Sequence, residues 1–178
     1  MSIKPFLKWA VGKSKLLPAL YAHLPPSLQE WDNFTYIEPF VGGGAMLFFM
    51  LEQFPNINKV VVNDVNPRLV NVYAVIQQEV EQLIVQLSSM QSRYVACSDP
   101  TAQQTYFLDV RAAYNAQTLP KVEDAAHFIF LNKTCFNGLY RENRKGEFNV
   151  PWGKYAHPTL CDETNLRGVA DALQKVEL

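Results

Sequence analysis

Hydrophobic and polar positions along the chain follow two periods, and the places where the period changes mark its elements. FTYIEPF (34–40) and KVVVND (59–64) are short apolar runs rich in aromatic and β-branched residues, which predicts two buried strands. Each is followed by a helical run. GAMLFFMLEQF (44–54) has almost no polar face, and NPRLVNVYAVIQQ (66–78) begins with Asn66 as N-cap and Pro67 in the first turn. Strand, helix, strand, helix in that order predicts a parallel sheet. From Glu79 to Phe136 the pattern is helical, with EVEQLIVQLSSMQSRYV, TAQQTYFLDVRAAYNAQ and EDAAHFIFLNKTCF parted by the breakers SDP and TLP. This stretch reads as a helical insertion lying beside the sheet.

NGLYRENRKGEFNVPWGKY (137–155) then alternates with period two on both sides of a polar turn at Asn143-Arg144-Lys145-Gly146, which predicts a β-hairpin. Leu139, Arg141 and Asn143 share one face of it, while Phe148, Val150 and Trp152 share a face of the return strand. One side can read a ligand while the other anchors. A last helix, DETNLRGVADALQKV, leads into VEL, the opening of a further strand. The expected division is therefore an α/β portion over 1–78, a helical and hairpin unit over 79–160, and an apparently incomplete return to the first domain over 161–178.

Composition adds bounds. Of the 178 residues 48% are hydrophobic and 19% charged, as in ordinary globular chains. Cys97, Cys135 and Cys161 are widely spaced and form no CxxC pair, which argues against a disulfide framework and a zinc cluster and fits a reducing cytosol. No apolar run approaches bilayer-spanning length, so the chain reads as soluble, with no membrane and no metal expected. Net charge is −1, but its distribution is uneven. Residues 1–18 and 133–154 together hold nine of the 16 basic residues and two of the 17 acidic ones. If these two windows meet in space they form a basic face suited to a phosphate backbone.

KPFLKWAVGKSK (4–15) ends in Gly12-Lys13-Ser14, like the close of a phosphate-binding loop, but the glycine required five residues ahead of Gly12 is Leu7. Nucleotide hydrolysis is therefore disfavoured, and Lys13 needs another ligand. One candidate lies at the carboxyl edge of the predicted sheet, where open α/β sheets bind ligands. There EPFVGGGAM ends the first strand and VVVND the second. Gly42, Gly43 and Gly44 let backbone approach a ligand, and Asp64 follows at the distance where a carboxylate can accept ribose hydroxyls. A dinucleotide loop would want glycine where Leu47 stands. With Glu38 at the strand tip, a ligand carrying an amine and a ribose but no pyrophosphate fits better, which describes S-adenosylmethionine.

PFLKWAVGK, EPFVGGGA, VVNDVN and FLNKTCFNGLYRENRKGEFNVPWGKY, in this order, resemble the Dam-type (D12 class) DNA adenine methyltransferases, from Lys4 to about Tyr155. The hairpin block is the most specific part of the match. The resemblance implies a Rossmann-like α/β methyltransferase sheet with a helical and β-hairpin target-recognition insertion. It also implies S-adenosylmethionine as methyl donor, and transfer to the exocyclic amino group of adenine in double-stranded DNA, commonly within GATC. Carried over by position, it places Trp9, Lys13, Glu38, Phe40, Gly42, Gly44 and Asp64 at the donor. Lys8, Leu139, Arg141 and Pro151 would touch the target sequence, with Asn137 and Tyr140 near the DNA. Lys13 would then serve a methyl donor rather than ATP.

Two departures stand out. Val11 occupies a position where the family usually has glycine beside the donor. The family's catalytic Asp-Pro-Pro-Tyr string is also absent, and Ser98-Asp99-Pro100-Thr101 in the helical stretch lacks its second proline and aromatic. The catalytic residues are therefore unknown, and the motif is expected beyond Leu178 or on a second chain. By itself the chain is expected to bind donor and DNA without transferring methyl. Two alternatives stay open: a catalytically inactive DNA-binding remnant, and a methyltransferase acting on RNA or a small molecule.

Overall fold

The two β-branched runs become neighbouring strands. A computed structural model describes residues 3–9 and 13–178. In it β1 (Phe34–Glu38) pairs with β2 (Ile57–Val62) and β2 with β3 (Val176–Glu177), all parallel, in the order β1-β2-β3. Glu38 lies opposite Val62, so the loops leaving β1 and β2 emerge side by side. That register turns two motifs far apart in sequence into one edge.

Among the described residues the sheet is joined by six α-helices and three short 3-10 helices, the α-helices being α1 (Leu17–Ala22), α2 (Ala45–Gln53), α3 (Pro67–Val95), α4 (Pro100–Asn115), α5 (Lys121–Thr134) and α6 (Glu163–Leu173). The start of α3 follows from its sequence. Asn66 accepts from the N–H groups of Arg68 at 3.0 Å and Leu69 at 3.2 Å, and Pro67 occupies a position whose N–H would have no helical partner. The expected helix over 66–78 and the helical run after it form a single element, kinked where Glu79 leaves helical geometry (φ −138°, ψ 34°). The helix packs against both α5 and α6. Leu69, Val72 and Ile76 near its start, Leu83 and Leu87 beyond the kink, and Val60 of β2 are buried in one continuous apolar cluster. None of these helices is long and apolar enough to cross a membrane.

The hairpin differs from expectation in its pairing. Its turn forms as predicted, with Gly146 N–H donating to the Asn143 carbonyl at 3.0 Å and Asn143 N–H to the Glu147 carbonyl at 2.9 Å. The Asn143 side chain reinforces it, accepting from the N–H groups of Lys145 and Glu147. The arms, however, meet only at the isolated antiparallel bridges Cys135–Trp152 and Glu142–Phe148 rather than in a ladder. The ladder breaks at Pro151, which has no N–H to give and whose carbonyl accepts from Phe136 N–H, while Leu139 N–H turns back to the Phe136 carbonyl. The N–H and carbonyl of Phe148, which face away from the other arm, go to Asn115 of α4 at 2.8 and 3.0 Å, and Gly153 N–H, within the Cys135–Trp152 bridge, goes to the Thr134 carbonyl at the end of α5. The return arm is thereby stitched to the helices, with Phe148 and Val150 buried among them.

Candidate functional site

The loops after β1 and β2 are cross-linked by backbone and side chain. Asn63 N–H donates to the Glu38 carbonyl and Val41 N–H to the Asn63 carbonyl, both at 3.0 Å. Asp64 completes the link, accepting from Gly42 N–H on one carboxylate oxygen and from Asn66 N–H on the other, each at 3.0 Å. Tyr73, buried on α3, donates its hydroxyl to the Gly42 carbonyl at 2.9 Å. Burial and the nearby Glu38 and Asp64 carboxylates push its phenol well above the usual tyrosine range, so it stays a neutral donor. Gly44 starts α2 with φ +79°, and a β-carbon there would lie 2.7 Å from both the Phe48 ring and the Tyr73 hydroxyl.

Trp9 lies on this loop. A β-carbon on Gly42 would come within 2.9 Å of the indole, so the glycine is what allows the close approach. On its other contacts the indole stacks near the rings of Phe128 and Tyr140, with centroids 6.3 and 5.8 Å away and interplanar angles of 10° and 22°. Lys13 reaches the tip of β1, where its ammonium pairs with Glu38 and donates to the Phe40 carbonyl at 2.6 Å. Glu38 is buried and also accepts from the Tyr36 hydroxyl at 2.8 Å. Burial, with Glu38 adding to it, holds that phenol far above its ordinary range. The Phe40 ring is 71% exposed at the rim.

Beside this loop lies a recess of about 220 Å³ whose walls include Trp9, Lys13, Phe40, Gly42 and Asp64, whereas Glu38 and Gly44 do not line it. Trp9 and Asp64 also line a larger cleft of about 810 Å³ that runs from the start of α3 to Tyr140 and Arg141 on the hairpin. In its wall Arg68 pairs with Asp124, stacks over the Tyr114 ring and donates to the Tyr114 carbonyl at 3.0 Å. Val11 and Gly12 fall outside the described residues.

On the hairpin side, Leu139, Arg141 and Asn143 are all exposed. Arg141 is not loose: Nε donates to the Asn149 side-chain oxygen at 2.7 Å and Nη2 to the Asn149 carbonyl at 3.3 Å. Asn137 and Pro151 are exposed, the former with φ +54° and the latter accepting from Phe136 N–H at 2.8 Å. Tyr140 is half-buried. Its hydroxyl donates to Glu142 and meets that of Tyr114 at 3.2 Å, and burial followed by the Glu142 bond pushes its phenol up to about 12. Lys8 stays exposed, its ammonium 4.4 Å from the centroid of the Tyr155 ring. Lys133 has its ammonium pushed below the usual lysine range by burial and by Lys8 beside it. The two basic windows meet at this point, where the Lys8 side chain packs on Gly138.

Sequence reasoning passed over two residues that build the site, Tyr73 and Asn132. Tyr73 reads as one more apolar position on α3. Asn132, 1% exposed, holds the backbone of Lys8 by two hydrogen bonds across 124 positions, which no local pattern reveals.

A family model for "D12 class N6 adenine-specific DNA methyltransferase" matches residues 9–178. The chain is 43% identical over 180 residues to the type II methyltransferase M.MjaIII of Methanocaldococcus jannaschii, covering 100% of this chain and 62% of that protein. It is 34% identical to the type II methyltransferase M1.LlaDCHI of Lactococcus lactis subsp. cremoris, covering 97% and 56%. To the DNA adenine methylase of Serratia marcescens it is 33% identical, covering 90% and 53%. It thus spans little more than half the length of these curated relatives.

Proposed function

This chain belongs to the D12 class of N6 adenine-specific DNA methyltransferases, and from that premise we propose that it supplies the S-adenosylmethionine pocket and the DNA-reading surface of such an enzyme. The observation that carries this reading is the cross-linked glycine loop with Trp9 laid on it, at the carboxyl edge of a parallel sheet. The residues present suit the donor. Each Asp64 oxygen accepts a single backbone N–H, and a carboxylate has about four acceptor sites, so capacity remains for two ribose hydroxyls. Gly42 lets the Trp9 indole lie on the loop, Gly44 lets Phe48 and the Tyr73 hydroxyl pack against it, and Phe40 offers an exposed ring at the rim. Glu38 has the right charge for the donor's amine but is engaged by Lys13 and Tyr36, so that amine and Lys13 compete for it. Bound S-adenosylmethionine would supply an electrophilic sulfonium methyl.

The substrate we propose is adenine in double-stranded DNA, with GATC as the first sequence to test. Lys8 packs on Gly138 at the base of the hairpin that carries Asn137, Leu139, Tyr140, Arg141 and Pro151, which we read as the DNA-contacting set, and the basic residues of both windows suit a phosphate backbone. The helical and hairpin stretch serves as target-recognition unit and the sheet as donor unit. The amino group of adenine is a weak nucleophile that must leave the base stack to be methylated. The acceptors that the family aims at its hydrogens belong to the Asp-Pro-Pro-Tyr string, which these 178 residues lack. They are therefore expected to bind both ligands and transfer no methyl unaided.

Titration calorimetry with S-adenosylmethionine, and mobility shift of duplex DNA against RNA competitor, test this together. Donor binding in the micromolar range and preference for duplex DNA are the expected results. No heat with the donor, or displacement by RNA at equal concentration, would overturn the reading, and labelled methyl appearing in DNA would overturn the expected inactivity.

A further inference from the structure

We infer that Asn132 is a positioning residue that couples donor binding to DNA binding, by tying the segment under the donor recess to the base of the hairpin. The inference rests on the functional reading above and concerns how its two sites communicate. Asn132 stands near the end of α5 and is 1% exposed. Its side-chain oxygen accepts from Lys8 N–H at 2.9 Å, while its amide nitrogen donates to the Lys8 carbonyl at 2.6 Å and to the Gly138 carbonyl at 3.1 Å. Both donors of the amide are thus committed, one to each segment.

The junction is tight as well as bonded. A β-carbon on Gly138 would lie 2.4 Å from the Lys8 β-carbon, so the two segments are in direct contact, and the Asn132 bonds hold them there. Gly138 directly precedes Leu139, and Lys8 directly precedes Trp9, whose indole covers Gly42 and stacks near Tyr140. A ligand that fills the recess presses on Trp9. Through Lys8 and Asn132 that displacement reaches the turn from which Leu139 and Arg141 project. By thermodynamic reciprocity DNA must then alter donor affinity by the same factor.

A buried asparagine that only satisfies its surroundings would affect stability alone, so the deciding quantity is a ratio of affinities. With the full chain, anisotropy of a labelled GATC duplex is measured without ligand and with saturating S-adenosylhomocysteine. The wild type is expected to change its DNA affinity by roughly 5- to 150-fold, the usual range of such couplings. Asn132→Ala should bring that ratio close to one. Val110→Ala, which truncates a buried side chain of α4 away from the junction, should lower the melting temperature and keep the ratio. A wild-type ratio of one overturns the inference whether or not the Asn132 variant folds, as does a ratio unchanged in Asn132→Ala. Failure of the wild type to bind either ligand overturns the functional reading, and this inference with it.

Discussion

A carboxylate that staples two loops together serves a ligand only if the loops leave it lone pairs, and Asp64 meets that condition by taking one N–H per oxygen. Its removal should register in two independent ways. Asp64→Ala strands the N–H groups of Gly42 and Asn66, and an orphaned polar group costs about 1–3 kcal/mol where water cannot replace its partner. Part of that loss should appear as a lower urea midpoint. Donor affinity should fall by roughly tenfold or more, since a hydrogen bond to a charged group contributes about 1.5–3 kcal/mol. Tyr73→Phe provides the comparison, because it loosens the same loop at the Gly42 carbonyl without removing the carboxylate. Calorimetry showing equal donor affinities in the two variants would mean that Asp64 is a structural staple and nothing more.

At the level of elements, the hairpin acts as a rigid mount rather than a free loop. Asn149 holds Arg141 through Nε and Nη2, and Asn115 fastens the return arm to α4, so the guanidinium is presented with its outer N–H groups available. An arginine so held can grip guanine bidentately in the major groove. Arg141→Ala should therefore relax specificity at one base pair, costing about 1–3 kcal/mol on the cognate duplex and little on one altered at that pair. Equal weakening on every duplex would identify a phosphate contact instead. The same elements show what the sequence could convey. β1, β2 and the start of α3 were legible because β-branched runs and a capping Asn-Pro pair act locally. The ladder of the hairpin is misread from alternation because Phe136 N–H claims the Pro151 carbonyl and Leu139 N–H turns back to Phe136, a local rearrangement that period-two spacing does not show. α1 gave no signal because only Leu17 and Leu20 of its six residues pack against the core, and only in part, which is too short a stripe to read as a hydrophobic period. Likewise Lys13 and Glu38 stood out as charged groups near the loop, while their mutual pairing became visible only in three dimensions.

For the molecule as a whole, net charge hides what matters, because a chain at −1 concentrates nine of its 16 basic residues in two windows that touch where Lys8 packs on Gly138. Asn132 and Gly138 pin Lys8 beside the hairpin base, so one duplex lying there would meet lysines from both windows. Each phosphate neutralised releases counterions, and the logarithm of the DNA association constant falls against the logarithm of salt with a slope of about −0.9 per contact. Lys8→Gln and Lys145→Gln take one charge from each window, and each should flatten that slope by about 0.9, with the double variant losing roughly twice as much. Lys59→Gln is the internal reference: its ammonium pairs with Glu177 across the β2–β3 strands at 2.8 Å, and its loss should leave the slope alone. A slope that responds to Lys145 but not to Lys8 would mean that the duplex touches the hairpin only, and that the meeting of the two windows serves the fold rather than the DNA.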